Sequence, residues 1–151
     1  MSLQRAALAA RRVGARAVEN PLLRMDWVKP QLDFLMCPSK IKLLRAGNQA
    51  VGKSTVGLAE CVHLAIGTHP AQPGRVAKDI WILCASWSQS VAIQRKLWDL
   101  TPKSQVDPKQ KYDEVKGFGG HQPSLRFKNG SLIQIKTTQQ GSLNLAGATI
   151  D

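Results

Sequence analysis

The chain has 151 residues, enough for one compact domain with its own hydrophobic core. Its 21 lysines and arginines outnumber 10 acidic residues and give a formal net charge of +11, spread along the whole chain. No apolar run approaches the roughly 18 residues that a membrane-spanning helix needs, so we expect no membrane insertion. A positive field of this kind favours a polyanion such as nucleic acid as partner. A solvated basic surface without a special partner is the alternative.

The N-terminal stretch is rich in alanine and arginine, and Glu19 is the only acid among its first twenty residues. Such a composition is typical of an organelle transit peptide or of an exposed basic helix. We favour the helix and assign residues 1–26 to a basic helical arm. The chain also has three widely spaced cysteines without a C-x-x-C pair, which indicates buried thiols in a reducing compartment.

Strand and helix patterns alternate over the next sixty residues. The first is "KIKLLRA", residues 40–46, which predicts a buried strand. "KSTVGLAECVHLAIG" follows with apolar residues at helical spacing, and predicts a helix that begins at Lys53 and ends at Gly67. The run "DIWILCAS", residues 79–86, is continuously apolar, as in parallel strands that are covered on both faces.

A second helix and a hairpin complete the pattern. Ser86, with Gln89 three residues later, is a helix N-terminal signature, and one helical face then carries Ile93, Leu97 and Leu100. Residues 102–120 are polar and predicted to be irregular. The stretch "SLRFKNGSLIQIKTT" predicts a β-hairpin with Asn129-Gly130 as a type I′ turn. We therefore predict an α/β fold with a mostly parallel sheet flanked by helices.

The stretch "GNQAVGKS", residues 47–54, matches the phosphate-loop pattern G-x-x-x-x-G-K-[ST] at every fixed position. The glycines allow a tight turn that brings backbone amides onto phosphate oxygens. Lys53 is expected to reach the β- and γ-phosphates, and Ser54 to offer its hydroxyl to Mg²⁺ with Thr55 in support. We thus predict ATP and Mg²⁺ as cofactors, Lys53 as catalytic and Ser54 as the metal ligand. The predicted nucleotide-binding residues of the loop are Gly47, Asn48, Gln49, Ala50, Val51, Gly52, Lys53, Ser54 and Thr55.

The carboxylates that hydrolysis needs are not evident. Phosphoryl transfer in this class requires an acid at the end of another strand to hold Mg²⁺, and usually a second to activate water. The runs "DIWILCAS" and "SLIQIKTT" end without an acid, and no apolar strand precedes Asp151. We therefore expect the chain to bind nucleotide without turning it over.

Three motifs together resemble the N-terminal part of the ATPase domain of bacteriophage terminase large subunits. They are the loop "RAGNQAVGKST", the upstream segment "KPQLDFL", and the hairpin followed by a polar link and a G-x-x-x-D step from Gly147 to Asp151. In the second motif, Gln31 matches the glutamine of the family's adenine-proximal element. The resemblance covers about residues 27–151, and the chain stops where the family's Asp-Glu strand would begin.

The resemblance implies a P-loop NTPase domain of the RecA-like (ASCE) type over residues 27–151, in incomplete form. It implies ATP-driven packaging of double-stranded DNA in the host cytoplasm, transiently at the procapsid portal. The implied partners are double-stranded DNA, the portal protein, the small terminase subunit and further copies of the chain in a ring. A nuclease domain usually follows in the family. The family also implies an arginine that senses the γ-phosphate, for which the candidates are Arg45, Arg75, Arg95 and Arg126.

Two other functions remain open from the residues themselves. A helicase or another nucleic-acid-dependent P-loop ATPase would share the loop, the charge and Gln31. A basic DNA-binding module with a vestigial loop would share only the charge, and there Lys53→Ala would leave every activity unchanged.

Overall fold

The structure is a computed structural model and describes residues 19–45, 52–120 and 122–138. These ranges contain three α-helices and five β-strands. The helices are α1 (Lys29–Met36), α2 (Lys53–Ile66) and α3 (Trp87–Leu100), and the strands are β1 (Asp79–Cys84), β2 (Tyr112–Asp113), β3 (Gly117–Phe118), β4 (Ser124–Arg126) and β5 (Leu132–Thr137). Short 3-10 helices span Pro21–Arg24 and Lys103–Gln105. No helix within the described ranges is long and apolar enough to cross a membrane.

The larger sheet has the strand order β1-β5-β4, in which β5 runs parallel to β1 and antiparallel to β4. The predicted α/β class is confirmed, but the described sheet is mixed rather than mostly parallel. The hairpin is the reason, because a short loop can join two neighbouring strands only in antiparallel pairing. A second correction concerns residues 102–120, which were predicted to be irregular and which include the antiparallel pair of β2 and β3.

The hydrophobic core forms where α2 and α3 pack against the larger sheet. Side chains from all three elements, such as Val62, Leu97 and Ile133, have no exposed surface. The predicted apolar face of α3 is confirmed, since Leu97 and Leu100 are buried and Ile93 packs against them from the edge of the core. Continuous burial of β1 is not confirmed.

The edge position of β1 explains this exception. β1 pairs only with β5 among the described strands, and Leu83 is 58% exposed. The helix ends agree better with the sequence. Gly67 is the C-cap residue of α2, and the Ser86 hydroxyl accepts a bond from the Gln89 amide at the start of α3 (3.4 Å).

The predicted strand over residues 40–46 is wrong in its described part. Residues 40–45 form no strand, and Ile41 and Leu43 are 91% and 83% exposed. Lys42 points inward instead and forms an ion pair with Glu60. An apolar run becomes a strand only where another strand satisfies its backbone groups, and no described strand does so here.

The hairpin between β4 and β5 is confirmed, but its turn differs from the predicted type I′. The Gly130 amide donates to the Phe127 carbonyl (3.0 Å), and the Phe127 amide donates to the Ser131 carbonyl (3.0 Å). Lys128 and Asn129 are therefore the central turn residues, and Gly130 follows with φ of +85°. This is a three-residue loop with a glycine in the left-handed region, the next most common hairpin geometry.

Asn129 also links this loop to the last turn of α2. Its Nδ2 donates to the Ala65 carbonyl (2.8 Å), and its Oδ1 accepts from the Ser131 amide (2.9 Å). We expect Asn129→Ala to lower the free energy of unfolding by about 1–2 kcal/mol, because both bonds are partly buried. Urea denaturation followed by circular dichroism measures this. Lys128→Ala at the neighbouring exposed position is the control, and equal midpoints for the two variants would contradict the prediction.

Candidate functional site

The N-terminus of α2 has features that favour an anionic ligand. Gly52 is its N-cap residue, has φ of +70°, and accepts the first helical bond from the Val56 amide (2.9 Å). Gly52 has no side chain with which to cap the helix, and the first turn contains no acidic residue. The amides of this turn and the positive end of the helix dipole therefore favour an anion at this end.

The described part of the predicted loop begins at this residue. Gly47, Asn48, Gln49, Ala50 and Val51 lie outside the described residues. Lys53 and Thr55 are half-buried in the first turn of α2, and the Ser54 side chain is exposed. The order of chemical groups is thus the one that phosphate binding needs: a left-handed glycine, a lysine, then two hydroxyls on the first helical turn.

Gln31, predicted from the segment upstream of the loop, lies directly against Gly52. A β-carbon placed on Gly52 would overlap the side-chain amide nitrogen of Gln31. The Oε1 atom of Gln31 accepts a bond from the Val28 amide (3.2 Å) at the start of α1. The structure therefore brings together two residues that are 21 positions apart and that the sequence analysis had assigned to one site. The role of Gln31 beside the adenine stays a prediction.

A cavity of about 320 Å³ lies along α2, with Ser54 at one end. Its other lining residues are mainly apolar, and are Gly57, Leu58, Cys61, Trp81, Ile82 and Ile93. Burial raises the pKa of the Cys61 thiol to about 12, so this sulfur is a packing group rather than a nucleophile. The indole nitrogen of Trp81 is buried without a hydrogen-bond partner, and the Lys136 ammonium lies over the Trp81 ring, 4.3 Å from its centroid.

A buried polar cluster holds the segment that leads into the loop. Lys42 donates to one carboxylate oxygen of Glu60 (2.6 Å), and His69 bonds the other (2.8 Å). The side chains of Lys42, Glu60 and His69 are 9%, 14% and 0% exposed. Lys42 also lies 5.2 Å from the ring centroid of Phe34 on α1. The cluster therefore joins α1, the segment before the loop, α2 and the turn after α2.

The hydrogen bonds of His69 define its tautomer. Its Nδ1 accepts from the Ala71 amide (3.2 Å), so the proton is on Nε2 and is donated to Glu60. The sequence analysis missed this cluster, because its members are 18 and 9 residues apart and share no motif. The only local signal is a charged residue between two apolar ones at positions 41–43, within the segment that was predicted as a buried strand. The described residues contain no group of three or more side chains that could hold a metal ion.

All three cysteines are free thiols, and the predicted burial holds for Cys84, whereas Cys37 and Cys61 are only partly buried. Burial raises the pKa of Cys84, whereas hydrogen bonds from the side chain and backbone of Ser39 lower the pKa of Cys37.

The candidate arginines lie in different surroundings. Arg75 donates to the Gln72 side chain (2.5 Å), and Arg95 donates to the Glu114 carbonyl (3.5 Å). Arg126 faces an open cleft beside β4. Arg45 is exposed at the end of the described segment before the loop. None of these contacts singles out one arginine as the γ-phosphate sensor.

Comparisons of the chain with models of protein families, with curated proteins and with solved structures found no match. The functional assignment consequently rests on the loop motif, on the geometry around α2 and on the charge of the chain.

Proposed function

We propose that the chain binds ATP with Mg²⁺ at the N-terminus of α2, and that it is the nucleotide-binding part of a DNA-packaging motor of the terminase type. One observation supports nucleotide binding above all others. Gly52 has a left-handed backbone conformation and contacts Gln31. It is followed at once by Lys53 and Ser54, which lie on the first turn of a 14-residue helix. This arrangement suits a polyphosphate because it combines the first-turn amides of a helix with a lysine and a hydroxyl.

Each side chain of the site has a distinct role in this proposal. Lys53 neutralises the β- and γ-phosphates, and the first-turn amides of α2 orient them. The exposed Ser54 hydroxyl would be a ligand for Mg²⁺, which would supply positive charge at the phosphate end of the nucleotide. Gln31, which lies beside the loop, orients the base end of the nucleotide. The Lys42–Glu60–His69 cluster positions the segment before the loop without touching the ligand.

The packaging function rests on the motif resemblance and on the net charge of +11, which suits a DNA partner. Translocation of double-stranded DNA, the portal protein and small subunit as partners, and a ring of copies are all part of this proposal. The proposal also includes the assignment of residues 1–26 to a basic helical arm.

Titration of native chain with MgATP in a calorimeter tests nucleotide binding. We expect Lys53→Ala to weaken binding at least about tenfold, because charge-assisted hydrogen bonds to phosphate are each worth about 1.5–3 kcal/mol. Lys96→Ala, at an exposed position of α3, is the matched control and should bind as the native chain does. If the native chain fails to bind MgATP at millimolar concentration, or if both variants bind equally well, the proposal is wrong.

A basic nucleic-acid-binding module with a vestigial loop is the second candidate, and the net charge favours it equally. The same variant separates the two, since a vestigial loop makes Lys53→Ala neutral for every activity. A helicase would share the nucleotide site, and Lys53→Ala would abolish nucleotide binding there as well.

A further inference from the structure

We infer that the open cleft between β4 and the segment Asp107–Lys111 binds the sugar–phosphate backbone of DNA. The cleft has a volume of about 640 Å³ and lies outside the set of residues that forms the proposed nucleotide site. The inference deepens the nucleic-acid part of the proposed function, although it does not depend on ATP binding. The net charge of the chain favours a polyanion as partner, and the inference names the surface at which that partner binds.

The charge of the cleft is the first reason. Three cations line it, Lys109, Lys111 and Arg126, against one acid, Asp107. All three cations are exposed, and none forms an ion pair with a carboxylate of the described residues. Unpaired cations on a concave surface reinforce one another's field and attract polyanions.

The walls of the cleft are held in place before any ligand arrives. The Asp107 amide donates to the Arg126 carbonyl (3.0 Å), and the Arg126 amide donates to Oε1 of Gln110 (3.0 Å). The Asp107 carboxylate accepts from the Lys109 amide (2.8 Å), which shapes the turn that presents this lysine. Strand alternation points Ser124 and Arg126 toward the cleft, whereas Leu125 between them is fully buried. The backbone positions from which the cations extend are therefore fixed, and a fixed backbone loses less entropy when a ligand binds.

The neutral residues that line the cleft favour contact with the phosphate backbone of DNA rather than with its bases. The neutral side chains that line the cleft are polar, such as Gln122 and Ser124, and no aromatic side chain among the lining residues offers a stacking surface. Contacts of this type fix a duplex without reading its sequence.

Lys109 and Lys111 differ in their surroundings from the other two lysines of residues 102–120. Lys103 lies over the Trp98 ring, 3.8 Å from its centroid, and burial lowers its pKa to about 8. The Lys116 amide donates to the Asp113 carboxylate (2.7 Å) outside the cleft. Of the four lysines in this stretch, only Lys109 and Lys111 line the cleft with Arg126, and they are the ones to test.

The test is the binding of a fluorescein-labelled 30-bp DNA duplex, measured by anisotropy between about 50 and 250 mM NaCl. The cleft variant replaces its three cations: Lys109→Gln, Lys111→Gln and Arg126→Gln. The control variant removes the same formal charge from exposed positions elsewhere: Arg24→Gln, Lys29→Gln and Lys96→Gln. Circular dichroism and urea midpoints establish that both variants fold.

We expect the cleft variant to lose at least about tenfold in affinity at 100 mM salt, and the slope of log K against log salt to fall by about 2–3, which is about 0.9 per lost phosphate contact. The control should change the affinity by less than about threefold. Equal losses in the two variants, an unchanged cleft variant, or no DNA binding by the native chain would each overturn the inference.

A parallel titration with MgATP distinguishes this inference from the nucleotide proposal. The cleft variant should bind MgATP within about twofold of the native chain, since none of its three substitutions lies on α2 or beside Gln31. If the native chain binds DNA through the cleft but does not bind MgATP, the nucleotide proposal fails and the cleft assignment stands. The opposite result rejects only the cleft.

Discussion

Replacement of Lys42 by methionine is expected to lower the free energy of unfolding by about 3 kcal/mol, because removal of one partner from a buried ion pair strands the other charge. The Glu60 carboxylate would keep only the bond from His69 in an environment where it is 14% exposed. Methionine resembles the lysine stem in length and volume, so lost packing contributes little. The contact of the Lys42 ammonium with the Phe34 ring is lost together with the ion pair. Urea denaturation, with coincident fluorescence and circular dichroism transitions, measures the change.

Two further variants make this prediction specific. Lys40→Met removes the same charge from an exposed position two residues away and should change stability by less than about 0.5 kcal/mol. Glu60→Gln added to Lys42→Met should recover about 1 kcal/mol or more, since a neutral amide costs less to bury and its oxygen still accepts from His69. Two results would contradict a stabilising role of the cluster. One is an equal free energy of unfolding for Lys42→Met and Lys40→Met, and the other is a further loss of stability when Glu60→Gln is added to Lys42→Met.

The second large effect is expected at Gly52. We expect Gly52→Ala to cost about 2 kcal/mol in stability, because φ of +70° costs a residue with a β-carbon about 1–2 kcal/mol and the new methyl group displaces the Gln31 amide. Displacement of Gln31 also breaks its bond to the Val28 amide at the start of α1. The same variant should weaken MgATP binding if the first-turn amides of α2 hold phosphate.

Gly57 provides a control on the same helix. A β-carbon at Gly57 would meet no atom within 4 Å, and the residue lies in the interior of α2 with ordinary helical backbone. Gly57→Ala should therefore stabilise the protein by up to about 1 kcal/mol through helix propensity alone. The two glycine variants are thus expected to shift the urea midpoint in opposite directions. If Gly52→Ala stabilised the protein, the left-handed backbone conformation at this position would not require a glycine.

The two stability predictions concern the same feature, which is how the chain on either side of the loop is anchored. Lys42 lies five positions before Gly47, and Gly52 is the last loop residue before Lys53. If both predictions hold, the segments before and after the loop are held by contacts that do not involve the ligand. Such anchoring would preorganise the phosphate site and lower the entropic cost of nucleotide binding.

The sequence by itself determined the features that depend on local periodicity and on single residues. The extent of α2, its end at Gly67, the apolar face of α3 and the existence of the β4–β5 hairpin all follow from patterns shorter than about fifteen residues. The candidate loop residues also came from one short motif. The predictions for the two helices and the hairpin agree with the described structure because the tertiary contacts reinforce the local preferences there. The assignment of the loop residues to a nucleotide site stays a prediction.

Only the tertiary structure decided the features that depend on partners far along the chain. The apolar run at residues 40–46 predicted a buried strand, but Ile41 and Leu43 are exposed, and Lys42 lies inside with Glu60 and His69. The mixed sheet, the contact of Gln31 with Gly52, and the cleft between β4 and Asp107–Lys111 arise in the same way. A buried charge must find an opposite charge, and a strand must find a neighbour, wherever in the sequence that partner lies. Spacing along the chain carries no information about those distances in space.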